Sequence, residues 1–291
     1  MINSNEFLFQ TQSNIHAFNT SFSETYESKK DTQQEFEQQI SQLRLLQSKL
    51  YAQGKHGVLI ILQAMDAAGK DGVIKHVMSG VNPQGCKVVS FKAPSAEELA
   101  HDFMWRCMKA MPEKGHIGIF NRSYYEEVLI ARIHPHLLLR QNLPFYHRNL
   151  HKDEQFWSQR YKDIVNIEKY YINNGYTIIK LFLNVSKEEQ KKRFLSRIEN
   201  SYKNWKFEMG DVSERQYWDQ YQHAYQLMLE NTDHKNAPWY VIPADKKWYM
   251  RLVISRIIVE KLKLLQLSYP KVSKKHLEDI EHARIILENE K

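Results

Sequence analysis

The chain has 291 residues, enough for one large domain or two small ones, and its 42% hydrophobic and 12% aromatic content excludes intrinsic disorder. The formal net charge of +7, from 41 basic and 34 acidic residues, suits a polyanionic partner. It does not choose among nucleotide, polyphosphate, nucleic acid and membrane surface, and a merely soluble basic surface explains it as well.

Residues 1–32 are polar and rich in Ser, Thr and Asn, and read as an irregular N-terminal arm. The opening stretch MINSNEFLFQTQSN has no basic start and no long apolar core, so a secretory signal is not expected. Over 33–51, Phe36, Ile40, Leu43, Leu46 and Leu50 fall on one helical stripe. Gly54 and Gly57 end the stripe, and 58–63 reads as a short apolar strand. A helix follows from Gly69 to about Ser79, then a strand at 87–91. Ser95 with Glu98 has the spacing of a capping box and starts another helix. Residues 116–120 read as a third strand, 152–173 as a long amphipathic helix and 177–183 as a fourth strand. Ser186 with Glu189, and Ser213 with Gln216, repeat the capping-box spacing. A fifth strand at 239–242 precedes a helix at 246–265, and a last helix at 274–289 carries Leu277, Ile280, Ala283 and Leu287.

Short apolar strands alternating with helices imply an α/β fold, a parallel sheet covered on both faces. One catalytic domain over 33–270 is expected, with the arm before it and a C-terminal helix over 271–291. The strand-poor region 124–175 is the expected insertion or lid. Cys86 and Cys107 form no CxxC pair and are expected as buried thiols in a reducing cytosol. No apolar run approaches the roughly 20 residues of a membrane helix, so a cytoplasmic location without membrane partners is expected. His147 and His151 are four apart but lack an acidic partner, so zinc is not expected.

Three motifs carry the chemistry. The first is AMDAAGKDG at 64–72, between the first strand and a helix. A phosphate-binding loop needs that placement, a tight turn of backbone N–H groups and a lysine. Ala67, Ala68, Gly69 and Gly72 supply the turn and Lys70 the cation; the alternative is an ordinary turn with an exposed lysine. Asp66 is the anomaly. At ~4 Å and an effective dielectric constant of ~20, two like unit charges repel by roughly 4 kcal/mol. The repulsion becomes attraction when a divalent cation lies between carboxylate and phosphate. Asp66 therefore reads as a metal ligand or as a group that orients the attacking phosphate. Asp71 reads as either, or as a favourable charge at the helix N-terminus.

The second motif, IFNRSYYEEV at 119–128, emerges from the carboxyl end of the third strand, where ligands bind in open α/β sheets. Asn121 can orient a phosphate or a metal-bound water, and Arg122 can grip phosphate oxygens or pair with the helix that follows. Glu126 and Glu127 are adjacent in a helix, so one of them is expected at the surface. The third, EEQKKRFLSR at 188–197, puts Arg193 and Arg197 on one helix face, with Lys191 and Lys192 on solvated ones. Lys75, Lys92, Arg106 and Lys109 could line a groove for a long polyanion or stand as surface charges.

The blocks MDAAGKDG, GVNPQGCKVVSFKAPSAEELAHDFMWR, GHIGIFNRSYYEEVL, KKRFLSRIENSYKNWKF and APWYVIPADKKWYMRL resemble the polyphosphate kinase 2 family over roughly residues 35–265. The SFKAP and FNRSYYEEV stretches are most similar to its class III branch. The resemblance implies a P-loop kinase-like fold, a five-stranded parallel sheet sandwiched by helices with a helical lid. It implies reversible phosphoryl transfer between inorganic polyphosphate and nucleoside mono- and diphosphates, AMP as well as ADP, with Mg²⁺. By motif, Asp66 and Lys70 match the Walker A aspartate and lysine, and Asn121 and Arg122 the Walker B-like stretch. Glu126 matches the position linked with acceptance of the monophosphate, and Arg193 and Arg197 match basic residues of the lid. Many relatives carry Asp where this chain has Asn121, and Glu127 is the expected substitute metal ligand beside Asp66. A homo-oligomer is expected, with no nucleic-acid partner. The competing readings are an ATP-dependent nucleotide kinase on the same fold and a non-catalytic polyanion-binding protein.

Overall fold

The computed structural model describes residues 4–10 and 12–290. Its centre is the strand β1, Gly57–Gln63, a run of apolar residues buried at every position. Such a run suits a strand covered on both faces. With β2 (Cys86–Ser90), β3 (Ile117–Asn121), β4 (Tyr176–Asn184) and β5 (Trp239–Pro243) it forms one sheet in the order β2-β3-β1-β4-β5. Every pairing is parallel, and Ile60 lies between Ile119 and Ile179 in register. The chain leaves β1 for one side of the sheet and returns to the other through β4, so the carboxyl end of β1 is the switch point where a crevice opens.

Helices cover the sheet. The long α1 (Lys29–Gln53) packs with α2 (Lys70–Val77), at the end of the loop after β1, by way of the helix after β5. Short helices α3 (Ala96–Leu99) and α4 (Trp105–Ala110) link β2 to β3. Between β3 and β4 lie α5 (Glu126–Ile133), α6 (His136–Leu139) and α7 (Glu154–Asn173). Between β4 and β5 lie α8 (Lys187–Glu199), α9 (Met209–Ser213) and α10 (Trp218–Thr232), the last packed against α5 and α7. The helix after β5 is α11 (Lys247–Leu264), and α12 (Lys274–Glu288) closes the described chain.

The Ser95–Glu98 capping box forms, and Ser186 caps α8 by accepting from the Glu189 N–H. The Ser213–Gln216 box does not form: Ser213 ends α9 and its hydroxyl donates to the Met209 carbonyl. The 124–175 segment is no overhang throughout, because α7 buries Trp157 and Ile164 in the core. The projecting wall is 200–213, where Tyr202 and Trp205 are 90% and 78% exposed. Residues 1–3 and 11 of the expected arm, and Lys291 of the expected C-terminal helix, lie outside the described residues. The rest of the arm is docked: Phe7, Phe9 and Ile15 are buried, and Leu8 bridges to Tyr240. All of α12 is exposed. No helix among the described residues is long and apolar enough to cross a membrane. Cys107 is buried and Cys86 half-buried, both as free thiols, and burial pushes Cys107 up to about 12.

Gly118 in β3 shows how tightly the site's scaffold is packed. A Cβ there would meet the Pro112 ring at 2.8 Å. Gly118→Ala should therefore cost about 1–3 kcal/mol of unfolding free energy in a urea titration. An unchanged midpoint would show that the Pro112 loop yields freely.

Candidate active site

The loop 64–69 turns sharply off β1. Ala67 takes a left-handed φ of 60° and Gly69, the N-cap of α2, a φ of 120°. Lys70 points back under the turn, where its buried ammonium donates to the Ala64 carbonyl at 2.9 Å and the Met65 carbonyl at 3.3 Å. Burial lowers its pKa, and the Asp66 charge opposes that shift.

Arg122 follows β3 with a left-handed φ of 64°, which aims its side chain across the sheet's edge at the loop. Its Nη2 donates to Asp66 Oδ1 at 2.5 Å, and its Nη1 lies 4.0 Å from Glu126. Glu126 is held by Gln63, whose amide donates to it at 2.9 Å. Burial alone would push the Asp66 carboxyl up, but Lys70 and Arg122 outweigh it and hold Asp66 below the usual carboxylate range.

This pair stands between two cavities. A cleft of about 890 Å³ opens along the carboxyl edge of the sheet. Lys70, Lys92, Arg122 and Arg193 line it, with Lys192, Arg197, Lys247 and Arg251. A smaller pocket of about 20 Å³ lies on the other side, walled by Glu126, Arg215, Tyr221 and Tyr225. Asp66, Arg122 and Asp211 border both.

Arg193 does not project into the cleft as a free cation. It is 6% exposed, and its guanidinium donates to Ala67 O at 3.1 Å, Ala68 O at 2.5 Å, Ala244 O at 2.6 Å and Asp245 O at 3.0 Å. Its Nε donates to Glu189 at 2.8 Å. In this arrangement the side chain fastens the loop to the end of β5. Arg197 stays nearer the cleft, 3.5 Å from Asp211.

Asn121 donates to Asp71 Oδ1 at 3.1 Å, while its own Oδ1 is buried without a hydrogen-bond partner. Asp66 and Asp71 line the same cleft. Their carboxylate oxygens are the donor type that a hard divalent cation takes. Among the described residues no cluster of three His, Cys, Asp or Glu could hold a metal by itself.

Residues 26–270 match the sequence profile of Polyphosphate kinase 2. The chain belongs to the polyphosphate kinase 2 family. It is 51% identical over 248 residues to an ADP-polyphosphate phosphotransferase of Rhodopseudomonas palustris, covering 85% of each chain. It is 46% identical over 228 residues to an AMP/ADP-polyphosphate phosphotransferase of Meiothermus ruber, covering 78% of this chain and 80% of the relative. The crystal structure of a polyphosphate kinase 2 from Arthrobacter aurescens superposes with a TM-score of 0.86 at 36% identity, covering 97% of this chain and 96% of that one. The P-loop kinase fold is thus the family's, in this chain as in its relatives.

In this member of the polyphosphate kinase 2 family, the cleft gathers Asp66, Ala67, Gly69, Lys70, Asp71 and Gly72 with Lys92, Asn121, Arg122, Arg193 and Arg197. Ala68 lies buried beneath and offers its carbonyl to Arg193. Lys75 is exposed on α2 outside the cleft, and Lys109 lies over the Trp105 ring. Arg106 borders a separate cavity beyond Phe91, where it donates to the Lys92 carbonyl at 2.7 Å. Glu127 faces that cavity too, 3.2 Å from Arg160 and accepting from Gln141 at 2.8 Å. It does not join Asp66. Neither glutamate is at the surface: adjacent helical positions point Glu126 and Glu127 into different cavities. Burial raises the Glu127 pKa, and Arg160 only partly offsets it.

Lys191 and Lys192 are exposed, as the charged run of α8 suggested, and Lys192 also lines the cleft. Lys247 and Arg251 also line it. Their signal was the position of DKKWYMR just past the carboxyl end of β5, the edge that already carried the other two motifs.

The Asp66 shift has a pH consequence. Its folded pKa lies below the unfolded value, so the ionised carboxylate stabilises the fold above about pH 4. That contribution is lost as pH falls through the folded value. The difference in unfolding free energy between the unaltered protein and Asp66→Asn should be constant from about pH 7 to 5 and shrink below about pH 4. A difference that grows on acidification would reverse the sign.

Proposed function

We infer that the protein transfers phosphoryl groups between inorganic polyphosphate and nucleoside mono- and diphosphates, making ATP and ADP. The observation that carries this reading is the Asp66–Arg122 pair, which borders a long basic cleft on one side and a smaller pocket on the other. The cleft suits the anionic chain, and the pocket the terminal phosphate of the acceptor. Loop N–H groups and the N-terminus of α2 bind the phosphate oxygens, with the Lys70 charge beneath them on the Ala64 and Met65 carbonyls. Arg122 holds the transferred group in line between donor and acceptor. An acceptor phosphate oxygen forms a bond to the terminal phosphorus of the chain. The bond from that phosphorus to its bridging oxygen breaks, and the shortened polyphosphate leaves with the electron pair. Reversal regenerates the longer chain.

A divalent cation, Mg²⁺ in this reading, would supply charge compensation among the phosphates, held by Asp66 and Asp71. The smaller pocket has room for a water rather than a nucleotide at about 20 Å³. Acceptor entry therefore requires 209–217, the segment of Asp211, Glu214 and Arg215, to withdraw. Use of AMP as well as ADP is supported by the similarity to the AMP/ADP-polyphosphate phosphotransferase of Meiothermus ruber and by Glu126 at the pocket wall. A homo-oligomer is part of the reading, supported by the exposed Leu277, Ile280 and Leu287 of α12. So is a cytoplasmic site of action, supported by the two free thiols.

Incubation with polyphosphate, Mg²⁺ and AMP, ADP, GMP or GDP, followed by separation of the nucleotides, tests the activity. Polyphosphate-dependent ADP and ATP are expected, and Lys70→Ala should lower turnover by about 100-fold or more with the circular-dichroism spectrum unchanged. Phosphorylation that needs ATP and ignores polyphosphate would favour an ordinary nucleotide kinase.

A further inference from the structure

The family profile begins at residue 26, yet the chain before it is fastened to the carboxyl ends of β4 and β5. Phe7 and Phe9 are buried, and the Phe9 N–H donates to the Trp239 carbonyl at 2.9 Å. Further on, the arm crosses the strand ends themselves. Asn184 Nδ2 donates to the Phe18 carbonyl at 3.1 Å, and the Asp245 N–H donates to the Thr20 carbonyl at 3.0 Å. Thr20 Oγ1 donates to Asp245 Oδ2 at 2.8 Å, and Lys246 Nζ donates to Ser23 Oγ at 2.7 Å.

Asp245 is where the arm meets the machinery. Its other carboxylate oxygen accepts the Ser186 N–H, at the N-cap of α8, at 2.8 Å. Its backbone carbonyl, with that of Ala244, receives Arg193 Nη2. The same guanidinium holds the Ala67 and Ala68 carbonyls of the phosphate-binding loop. A continuous set of hydrogen bonds therefore runs from Thr20 through Asp245 and Arg193 to the turn beside Asp66.

We propose that the N-terminal arm is a positioning element of the active site, and that Thr20, through Asp245 and Arg193, sets the conformation of the loop 64–69. The reasoning is geometric. Asp245 has one oxygen for the arm and one for α8, so the arm fixes the carboxylate that orients the helix carrying Arg193. Ala67 holds a left-handed φ of 60°, unfavourable for a residue with a Cβ, and its carbonyl is one that Arg193 binds. Loosening Asp245 releases the group that keeps the turn in that conformation. The proposal rests on the phosphotransfer reading only for its kinetic readout.

The test compares the unaltered enzyme with Thr20→Val and Thr20→Ser at a temperature well below unfolding. Removing a hydrogen bond to a charged group should lower kcat/KM for polyphosphate by about tenfold in Thr20→Val, and Thr20→Ser should restore it. Hydrogen–deuterium exchange of amides in 64–70 should rise in Thr20→Val and not in Thr20→Ser, a readout independent of turnover. Unchanged exchange in 64–70 for Thr20→Val, or a kinetic loss that Thr20→Ser fails to restore, would overturn the proposal. An unaltered enzyme without polyphosphate turnover would instead sink the functional reading, and the exchange comparison would still decide the arm.

Discussion

A carboxylate inside an anion-binding loop is the constraint around which this site is organised. Asp66 would repel phosphate, and it is tolerated because Arg122 meets it at 2.5 Å and Lys70 lies beneath the same turn. Their charges keep it ionised despite burial. An ionised carboxylate at the border of two cavities suits chemistry in which both reactants are polyanions, since phosphoryl transfer depends on positioning and charge compensation. Arg122 gains its aim from the left-handed backbone that ends β3, so a local conformation of one strand end sets the geometry of the loop on its neighbour.

Two buried devices hold that geometry. Arg193 satisfies carbonyls from the loop and from the end of β5 at once, which locks α8 against the turn. Behind Arg122, the hydroxyls of Tyr124 and Tyr125 donate to Glu168 Oε1 at 2.9 and 2.6 Å, and Lys180 donates to Oε2 at 2.8 Å. Both Lys180 and Glu168 are fully buried, and breaking such a pair costs about 3–5 kcal/mol because it strands a charge. The Lys180 ammonium also reaches the Thr232 carbonyl, so the network ties β4, α7, the start of α5 and the end of α10 together. The catalytic edge rests on polar contacts within the core as well as on apolar packing.

The sheet was legible because short stretches rich in apolar residues, β1 above all, alternate with helical ones, and the loop because Asp66, Lys70 and their neighbours are contiguous. Features built between distant segments were not. Arg193 reads from periodicity as one of two arginines on a helix face; its role as a fastener lies in bonds to carbonyls 125 and 51 residues away. Glu127 was the expected substitute for the Asp that many relatives carry in place of Asn121, but a helical step of one residue turns it toward Arg160. Asn121 stands where many relatives carry Asp, and its amide nitrogen donates to Asp71. The arm looked irregular because its apolar residues Phe7, Phe9 and Ile15 stand among polar Ser, Thr and Asn, and they are buried by docking on elements that come much later in the chain.

The role assigned to Asp66 is a shared one, a partner of Arg122 that also holds a divalent ion beside phosphate. Electron paramagnetic resonance of Mn²⁺, a Mg²⁺ substitute, tests it most directly. The free-ion signal is followed as protein is added in the presence of short-chain polyphosphate, for the unaltered protein and for Asp66→Asn. The expected result is that the unaltered protein depletes the free-ion signal beyond polyphosphate alone and that Asp66→Asn does not. Equal depletion by both would contradict it and leave the loop aspartate as no more than an anchor for Arg122.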